Sequence, residues 1–286
     1  MALHIALTFD DYFWAPAYAT MRSVCLATLR RKELVFHLLH WRLAAEHRAV
    51  LEGIADEFGA RLVDYALDAD PEIRALIGRL PGTRGFPPMV YARLLLDRLL
   101  PAEVERVLYL DCDLYVRAPV ERLIEMDLQG KALAAAPEPG RQHLVAGDDM
   151  RARQGPFDPA EPYFNSGVLL IDRATWGRAD LPGFLAGLEA SGELRRLYHD
   201  QDVLNLRFRG DWLMLDPRWN LTKPHPALRA LDPFIVHYTT GQKPWNALAY
   251  VAFGSSYKHV MTRDVLARYR RYRMGVWLRR RFGGKA

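Results

Sequence analysis

Cysteine is nearly absent: the 286 residues contain two, Cys25 and Cys112, each inside an apolar stretch. That excludes a disulfide framework or a thiolate metal site, both of which need spaced sets of cysteines, and it fits a reducing compartment. No apolar run reaches the roughly 18 residues of a membrane-spanning helix. The opening residues carry no charged segment and no small-residue cleavage site before Asp10 and Asp11, so a secretory leader is not expected. Internal repeats and low-complexity tracts are missing, and no linker precedes about residue 250. What remains, 50% hydrophobic and 26% charged residues, is enough to bury the core of one large domain, with or without an appendage.

Acidic residues are missing from one region in particular. Residues 268–286 hold Arg268, Arg270, Arg271, Arg273, Arg279, Arg280, Arg281 and Lys285 with no acid. Removing this +8 segment from the net charge of +5 leaves −3 on the rest of the chain. A weakly acidic body with a basic end argues against nucleic acid, which would call for a basic face across the whole protein. Tyr269, Tyr272, Met274, Val276, Trp277, Leu278 and Phe282 are interleaved with the arginines. That mixture suits a helix lying on an anionic membrane surface. We therefore divide the chain into a catalytic domain, residues 1–257, and a basic aromatic tail, 258–286. The expected location is cytoplasmic, peripheral at the inner face of the cytoplasmic membrane.

Hydrophobic periodicity predicts strands at 3–9, 34–40 and 61–65 and helices at 15–30 and 44–58. This β-α-β-α-β alternation predicts an α/β fold of the Rossmann-like type, a mainly parallel sheet flanked by helices, with ligands at the carboxyl ends of the strands. Beyond a Gly/Pro-rich loop at 81–88, apolar residues at helical spacing span 89–100. Strands follow at 106–110, 133–136, 166–171 and 234–237, with a helix at 201–208. The long polar loop at 137–162 is a candidate acceptor or lid region.

The strand at 106–110 runs directly into Asp111-Cys112-Asp113. Side chains of a strand alternate with a period of two, so two carboxylates at i and i+2 are expected on one face, where they can share a cation. Paired hard oxygen donors are costly to desolvate without such a cation. A solvated strand-end turn explains the same residues more blandly. Haloacid-dehalogenase phosphatases also carry Asp-x-Asp at a strand end, but usually on their first strand, with Thr or Val where this chain has Tyr115. The stretch from His237 to Trp245 supplies an imidazole at a strand end and an ammonium, Lys243, before Pro244 and Trp245. Imidazole with two carboxylates favours Mn²⁺, with Mg²⁺ a plausible substitute, and the ammonium would meet the same anionic group.

Taken in order, these motifs resemble glycosyltransferase family 8, retaining enzymes of the GT-A nucleotide-diphospho-sugar transferase fold that include bacterial lipopolysaccharide galactosyl- and glucosyltransferases and glycogenin. The resemblance runs from Ile5 to about Trp245. Leu7-Thr8-Phe9-Asp10-Asp11-Tyr12 is similar to the family's uridine-binding opening, which implies that Asp10 accepts the uracil N3 proton with Thr8, Asp11 and Tyr12 beside it. Relatives often carry Asn-Tyr after the Asp pair, where this chain has Tyr12-Phe13. Tyr91-Ala92-Arg93 resembles the helix whose Arg reaches the donor sugar and diphosphate. Tyr163-Phe164-Asn165-Ser166-Gly167 resembles the segment that sets an Asn near the donor sugar.

Asp200-Gln201-Asp202 looks like the family's D-Q-D helix start, implying Asp200 on the sugar hydroxyls and Gln201 beside the anomeric carbon. Asp111, Cys112, Asp113, Gly241 and Lys243 complete the implied donor site, with Asp111, Asp113 and His237 as metal ligands. Close bacterial relatives have Gly three residues after the His, where this chain has Thr240 followed by Gly241. Glu138 stands where relatives often carry an acceptor-side carboxylate. The implied activity is that of a UDP-sugar-dependent hexosyltransferase using UDP-glucose or UDP-galactose and a glycan or glycolipid acceptor. A UDP-sugar-binding protein without transfer activity, or a metal-dependent phosphohydrolase, would share parts of this pattern.

Overall fold

The computed structural model describes residues 2–82, 87–138, 157 and 161–282. A seven-stranded sheet organises the chain: β1 (Leu3–Asp10), β2 (Leu34–Trp41), β3 (Arg61–Ala66), β4 (Arg106–Leu110), β6 (Leu133–Pro137), β7 (Phe164–Asp172) and β8 (Trp212–Met214). Two further strands, β5 (Leu114–Val116) and β9 (Ile235–His237), form a small antiparallel ribbon. The order across the large sheet is β3-β2-β1-β4-β7-β6-β8. Every pairing is parallel except those of β7, which runs antiparallel to β4 and β6. The expectation of a mainly parallel sheet flanked by helices therefore holds.

The period-two alternation of the central strands decides which core each side chain joins. Leu3, Ile5, Leu7 and Phe9 of β1, Leu108 and Leu110 of β4, and Val168 and Leu170 of β7 enter one core with the helices Trp14–Ala27 and Ala45–Phe58. Ala6, Val107, Tyr109, Leu169 and Ile171 enter the opposite core with the helices Leu181–Ala190 and His199–Arg207. Strands buried on both faces read as continuous apolar runs, which is why β1, β2 and β4 stood out in the sequence.

Three local expectations need correction. The stretch from 89 to 100 is a 3₁₀ segment, Pro88–Leu95, followed by one α-turn, Leu96–Leu99. Burial on almost every side, with Tyr91, Arg93 and Leu95 all inside, replaces the one-sided burial of an ordinary amphipathic helix. Asp111 and Asp113 lie on the turn between β4 and β5, not on a strand face. The basic segment is not a separate tail in its first half: the helix Arg263–Phe282 buries Val265 and Tyr269 in the first core. The loop expected at 137–162 lies mostly outside the described residues, as do residues 83–86 of the Gly/Pro-rich loop and Lys285.

Candidate active site

Asp10 ends β1 and Asp111 follows β4, neighbouring parallel strands whose carboxyl ends mark where ligands bind in such sheets. The turn after β4 is fixed by an Asp111 N–H donating to the Gly167 carbonyl at 2.8 Å. β5 then pairs with β9 so that Leu114 faces His237, and the Tyr238 N–H donates to the Asp113 carbonyl at 3.1 Å. This register, not alternation along a strand, sets the imidazole beside both carboxylates. His237 Nε2 lies 3.1 Å from Asp113 Oδ1 and 3.6 Å from Asp111 Oδ2. One donor atom from each of the three residues falls within 4.8 Å of the others, as a single cation requires. The donor set, two carboxylates and an imidazole, fits a divalent first-row ion.

Gly167 is part of this geometry. A Cβ built on it would stand 2.2 Å from His237 Cε1 and 2.7 Å from Asp111 Oδ2, so only glycine leaves room for both ligands. Gly241 differs: it sits on an exposed turn where a Cβ meets nothing within 4 Å, so the protein itself does not demand glycine there.

Charge is closely matched around the cluster. Arg93, only 5% exposed, spans two carboxylates, with one terminal nitrogen 3.0 Å from Asp111 Oδ1 and Nε 3.0 Å from Asp200 Oδ2. It also donates to the Ser166 carbonyl at 2.8 Å and stacks over the Tyr109 ring at 4.4 Å. The Tyr109 hydroxyl donates to Asp111 Oδ1 at 2.9 Å and meets Thr8 Oγ1 at 2.8 Å. Lys243 Nζ donates to Asp113 Oδ2 at 2.6 Å and to the Tyr238 carbonyl. Burial works to raise the Asp113 carboxyl, but Lys243 and His237 outweigh it and hold the group well below its ordinary range. Asp200 shows the opposite balance: burial, reinforced by Asp111, outweighs Arg93 and raises it to about 6.

The remaining predicted residues divide into those that face this cluster and those that do not. Gln201 Oε1 accepts from the Ser166 N–H at 3.1 Å, and its amide nitrogen donates to the Tyr163 hydroxyl at 3.2 Å. That fixes its side chain next to Asp200. Asn165 donates through Nδ2 to Glu138 Oε2 at 2.7 Å, so the expected sugar-side amide and acceptor-side carboxylate touch. Asp10 accepts the Tyr12 N–H at 3.0 Å, and burial raises its carboxyl.

Asp11 does not turn to the cluster. Oδ1 accepts from the Ala44 N–H and from His47 Nδ1, and Oδ2 accepts from the Tyr272 hydroxyl. It thereby caps the helix Ala45–Phe58 from a distance and ties it to the C-terminal helix, leaving its backbone as the part that could meet a donor. The Cys112 thiol is likewise buried against the Thr8 carbonyl, and burial keeps it protonated. The Tyr12 hydroxyl accepts from Arg273 Nε at 3.2 Å.

The sequence gives no clear sign of Asn220 or of the Tyr109 hydroxyl as parts of the site, while Tyr163 and Ser166 stand out only as members of the motif around Asn165. For Asn220 the available signal was a lone Asn between Trp219 and Leu221, too slight to stand apart from an ordinary turn.

The family model described as Glycosyl transferase family 8 matches residues 4–249. The chain belongs to glycosyltransferase family 8. Among curated proteins this family 8 chain is similar to general stress protein A of Bacillus subtilis (strain 168), 24% identical over 91% of this chain and 93% of that protein. It is also similar to a lipopolysaccharide 1,2-glucosyltransferase of Escherichia coli (strain K12), 27% identical over 68% of this chain and 59% of that protein. A lipopolysaccharide 1,3-galactosyltransferase of Salmonella typhimurium is 24% identical over 85% of this chain and 73% of that protein. Among solved structures, galactosyltransferase LgtC in complex with donor and acceptor sugar analogs superimposes with a TM-score of 0.73 at 24% identity, covering 91% of this chain and 95% of that one. The likeness establishes the GT-A fold.

The tight clearance at Gly167 yields a direct test. Gly167→Ala should weaken Mn²⁺ binding at least about tenfold and cost about 1–3 kcal/mol of stability, because the methyl must displace a ligand. Isothermal titration with Mn²⁺ and thermal melting read the two effects. Unchanged affinity would mean that His237 and Asp111 do not meet where described.

Proposed function

We propose that this glycosyltransferase is a UDP-sugar-dependent hexosyltransferase. It moves glucose or galactose, with retention of anomeric configuration, from UDP-glucose or UDP-galactose to a glycan or glycolipid acceptor, lipopolysaccharide core or another cell-surface glycan. The observation that carries this reading is the Asp111, Asp113 and His237 cluster adjoining the buried Arg93–Asp200 pair. The lipopolysaccharide glucosyl- and galactosyltransferases among its relatives support the substrate class.

Breaking the anomeric C–O bond puts negative charge on the departing UDP while the sugar becomes oxocarbenium-like. Asp111, Asp113 and His237 would hold Mn²⁺, or Mg²⁺ in its place, and a divalent cation there supplies Lewis-acid stabilisation of the diphosphate. Lys243 adds a positive charge on the same side. At the nucleotide end, Asp10 accepts the uracil N3 proton beside Thr8 and Tyr12, and the backbone at Asp11, Cys112 and Gly241 lines the donor path.

Arg93 holds Asp200 and Asp111 apart at fixed spacing, so Asp200 can accept from the donor sugar hydroxyls with Asn165 nearby. Gln201 stands at the anomeric carbon, and its held amide is a poor nucleophile. The acceptor hydroxyl therefore attacks from the face that UDP leaves: its oxygen bonds to the anomeric carbon, the bond to UDP breaks, and the proton passes to the departing phosphate. Glu138 orients the acceptor.

The C-terminal helix supports a peripheral membrane location. Its far half exposes Met274, Trp277, Leu278 and Phe282 beside Arg279, Arg280 and Arg281. No helix among the described residues is long and apolar enough to cross a membrane. Aromatic residues mixed with arginines at that end suit the headgroup layer of an anionic bilayer, where each basic residue contributes about 1 kcal/mol before screening.

Two experiments address these proposals. A panel of UDP-sugars incubated with the protein and Mn²⁺ should release UDP from UDP-glucose or UDP-galactose, with loss on chelation and a drop of roughly 10²- to 10³-fold in Asp113→Asn. Full activity in excess chelator, or phosphate release without UDP, would contradict the reading. For the membrane, cosedimentation with phosphatidylglycerol vesicles should be lost in a combined Trp277→Ser, Phe282→Ser, Arg279→Gln and Arg281→Gln variant and weakened by salt in the parent protein. These positions leave the packed half of the helix intact, so equal binding by both proteins would refute the helix's role.

A further inference from the structure

Asn220 is 2% exposed and lies between His237 and Asn165. Its Oδ1 is 2.9 Å from His237 Nδ1, and its Nδ2 donates to Asn165 Oδ1 at 2.8 Å. Asn165 Oδ1 also accepts the backbone N–H of Gly167 at 2.9 Å, while Asn165 Nδ2 donates to Glu138 Oε2 at 2.7 Å. Each link has one permitted direction. A backbone N–H can only donate and an ionised carboxylate can only accept, so the Gly167 N–H and Glu138 together fix which way the Asn165 amide points. Asn165 Oδ1 then requires the NH₂ group of Asn220, which turns Asn220 Oδ1 toward the imidazole. An oxygen acceptor at that distance requires a proton on His237 Nδ1, which makes Nε2, the nitrogen facing Asp113 and Asp111, the one that gives up its proton to a cation.

We propose that Asn220 is a positioning residue for the cation site, setting the tautomer and ring orientation of His237 through a one-way hydrogen-bond relay from Glu138 and Gly167. This rests on the reading of Asp111, Asp113 and His237 as cation ligands. A ligating imidazole must present an unprotonated nitrogen, and partners outside the ligand set that enforce this typically change metal affinity by 10- to 100-fold. The relay also gives Glu138, on the proposed acceptor side, a continuous bonded path to the ligand: Glu138, Asn165, Asn220, His237.

The first test needs no metal. In metal-free protein labelled with ¹⁵N histidine, at a pH where the ring is neutral, long-range ¹H–¹⁵N correlation spectra should find the His237 proton on Nδ1; a proton on Nε2 would overturn the proposal. The second measures Mn²⁺ affinity by electron paramagnetic resonance without donor. Asn220→Leu, which keeps the volume and removes both polar atoms, should bind Mn²⁺ about 10- to 100-fold more weakly. Asn220→Asp, which keeps an acceptor facing Nδ1 but gives up the donor to Asn165, should recover part of that loss. Wild-type affinity in the Leu variant, or equal loss in both, would overturn it. Absence of Mn²⁺ binding in the parent protein would instead refute the cation reading, while the labelled-histidine spectrum would still decide the relay.

Discussion

Three carboxylates, Asp111, Asp113 and Asp200, are held together largely out of water with two fixed cations, Arg93 and Lys243, among them. Ion pairs in such surroundings are stable only when every member is compensated, and removing one partner of a buried pair typically costs about 3–5 kcal/mol. The formal balance of these five groups is one negative charge in excess, on the side where His237 turns its ring toward the carboxylates. A divalent cation held there would take the sum to one positive charge in excess, which suits an anionic diphosphate. The same constraint explains why Arg93 is buried: it pairs with both Asp111 and Asp200, and its stacking on Tyr109 shields it further.

The surrounding structure serves this arrangement. Pairing of β7 with β4 brings the Gly167 carbonyl to the Asp111 N–H, and the missing side chain at Gly167 makes room for two ligands. The β5–β9 ribbon carries His237, and the loop that leaves β9 brings Lys243, six residues further on, back to Asp113, so imidazole and ammonium come from neighbouring stretches of chain. The C-terminal helix closes the other end. The Tyr269 hydroxyl donates to the Tyr12 carbonyl and that of Tyr272 to Asp11, while Arg273 reaches both Tyr12 and Asn246. The C-terminal helix and the loop after β1 thus form one hydrogen-bonded unit.

Much of this was legible in the sequence, for physical reasons that differ from part to part. The strands β1, β2 and β4 are buried on both faces and announce themselves as apolar runs. The cluster at 111, 113 and 237 is readable because carboxylates and an imidazole at strand ends are chemically conspicuous. The reason given for their convergence was not right, since a turn and a cross-strand register do what alternation along a strand was expected to do. β5, at three residues, is too short to have a period. The bond from the Asp11 side chain to the start of a helix 34 residues later is not legible in local sequence. Asn220 escaped because its meaning lies in three residues far from it in the chain. The basic and aromatic character of residues 258–286 is plain in the sequence, but the burial of Val265 and Tyr269 depends on a core that distant segments build.

Asp111, Asp113 and His237 would hold a cation that stabilises the donor diphosphate. Pulsed electron paramagnetic resonance of Mn²⁺ bound to the protein with UDP tests it directly. ¹⁴N coupling from the imidazole and ³¹P coupling from the diphosphate are expected on the same ion, with the nitrogen signal lost in His237→Ala. A ³¹P signal with no ¹⁴N coupling in the wild-type protein would contradict it.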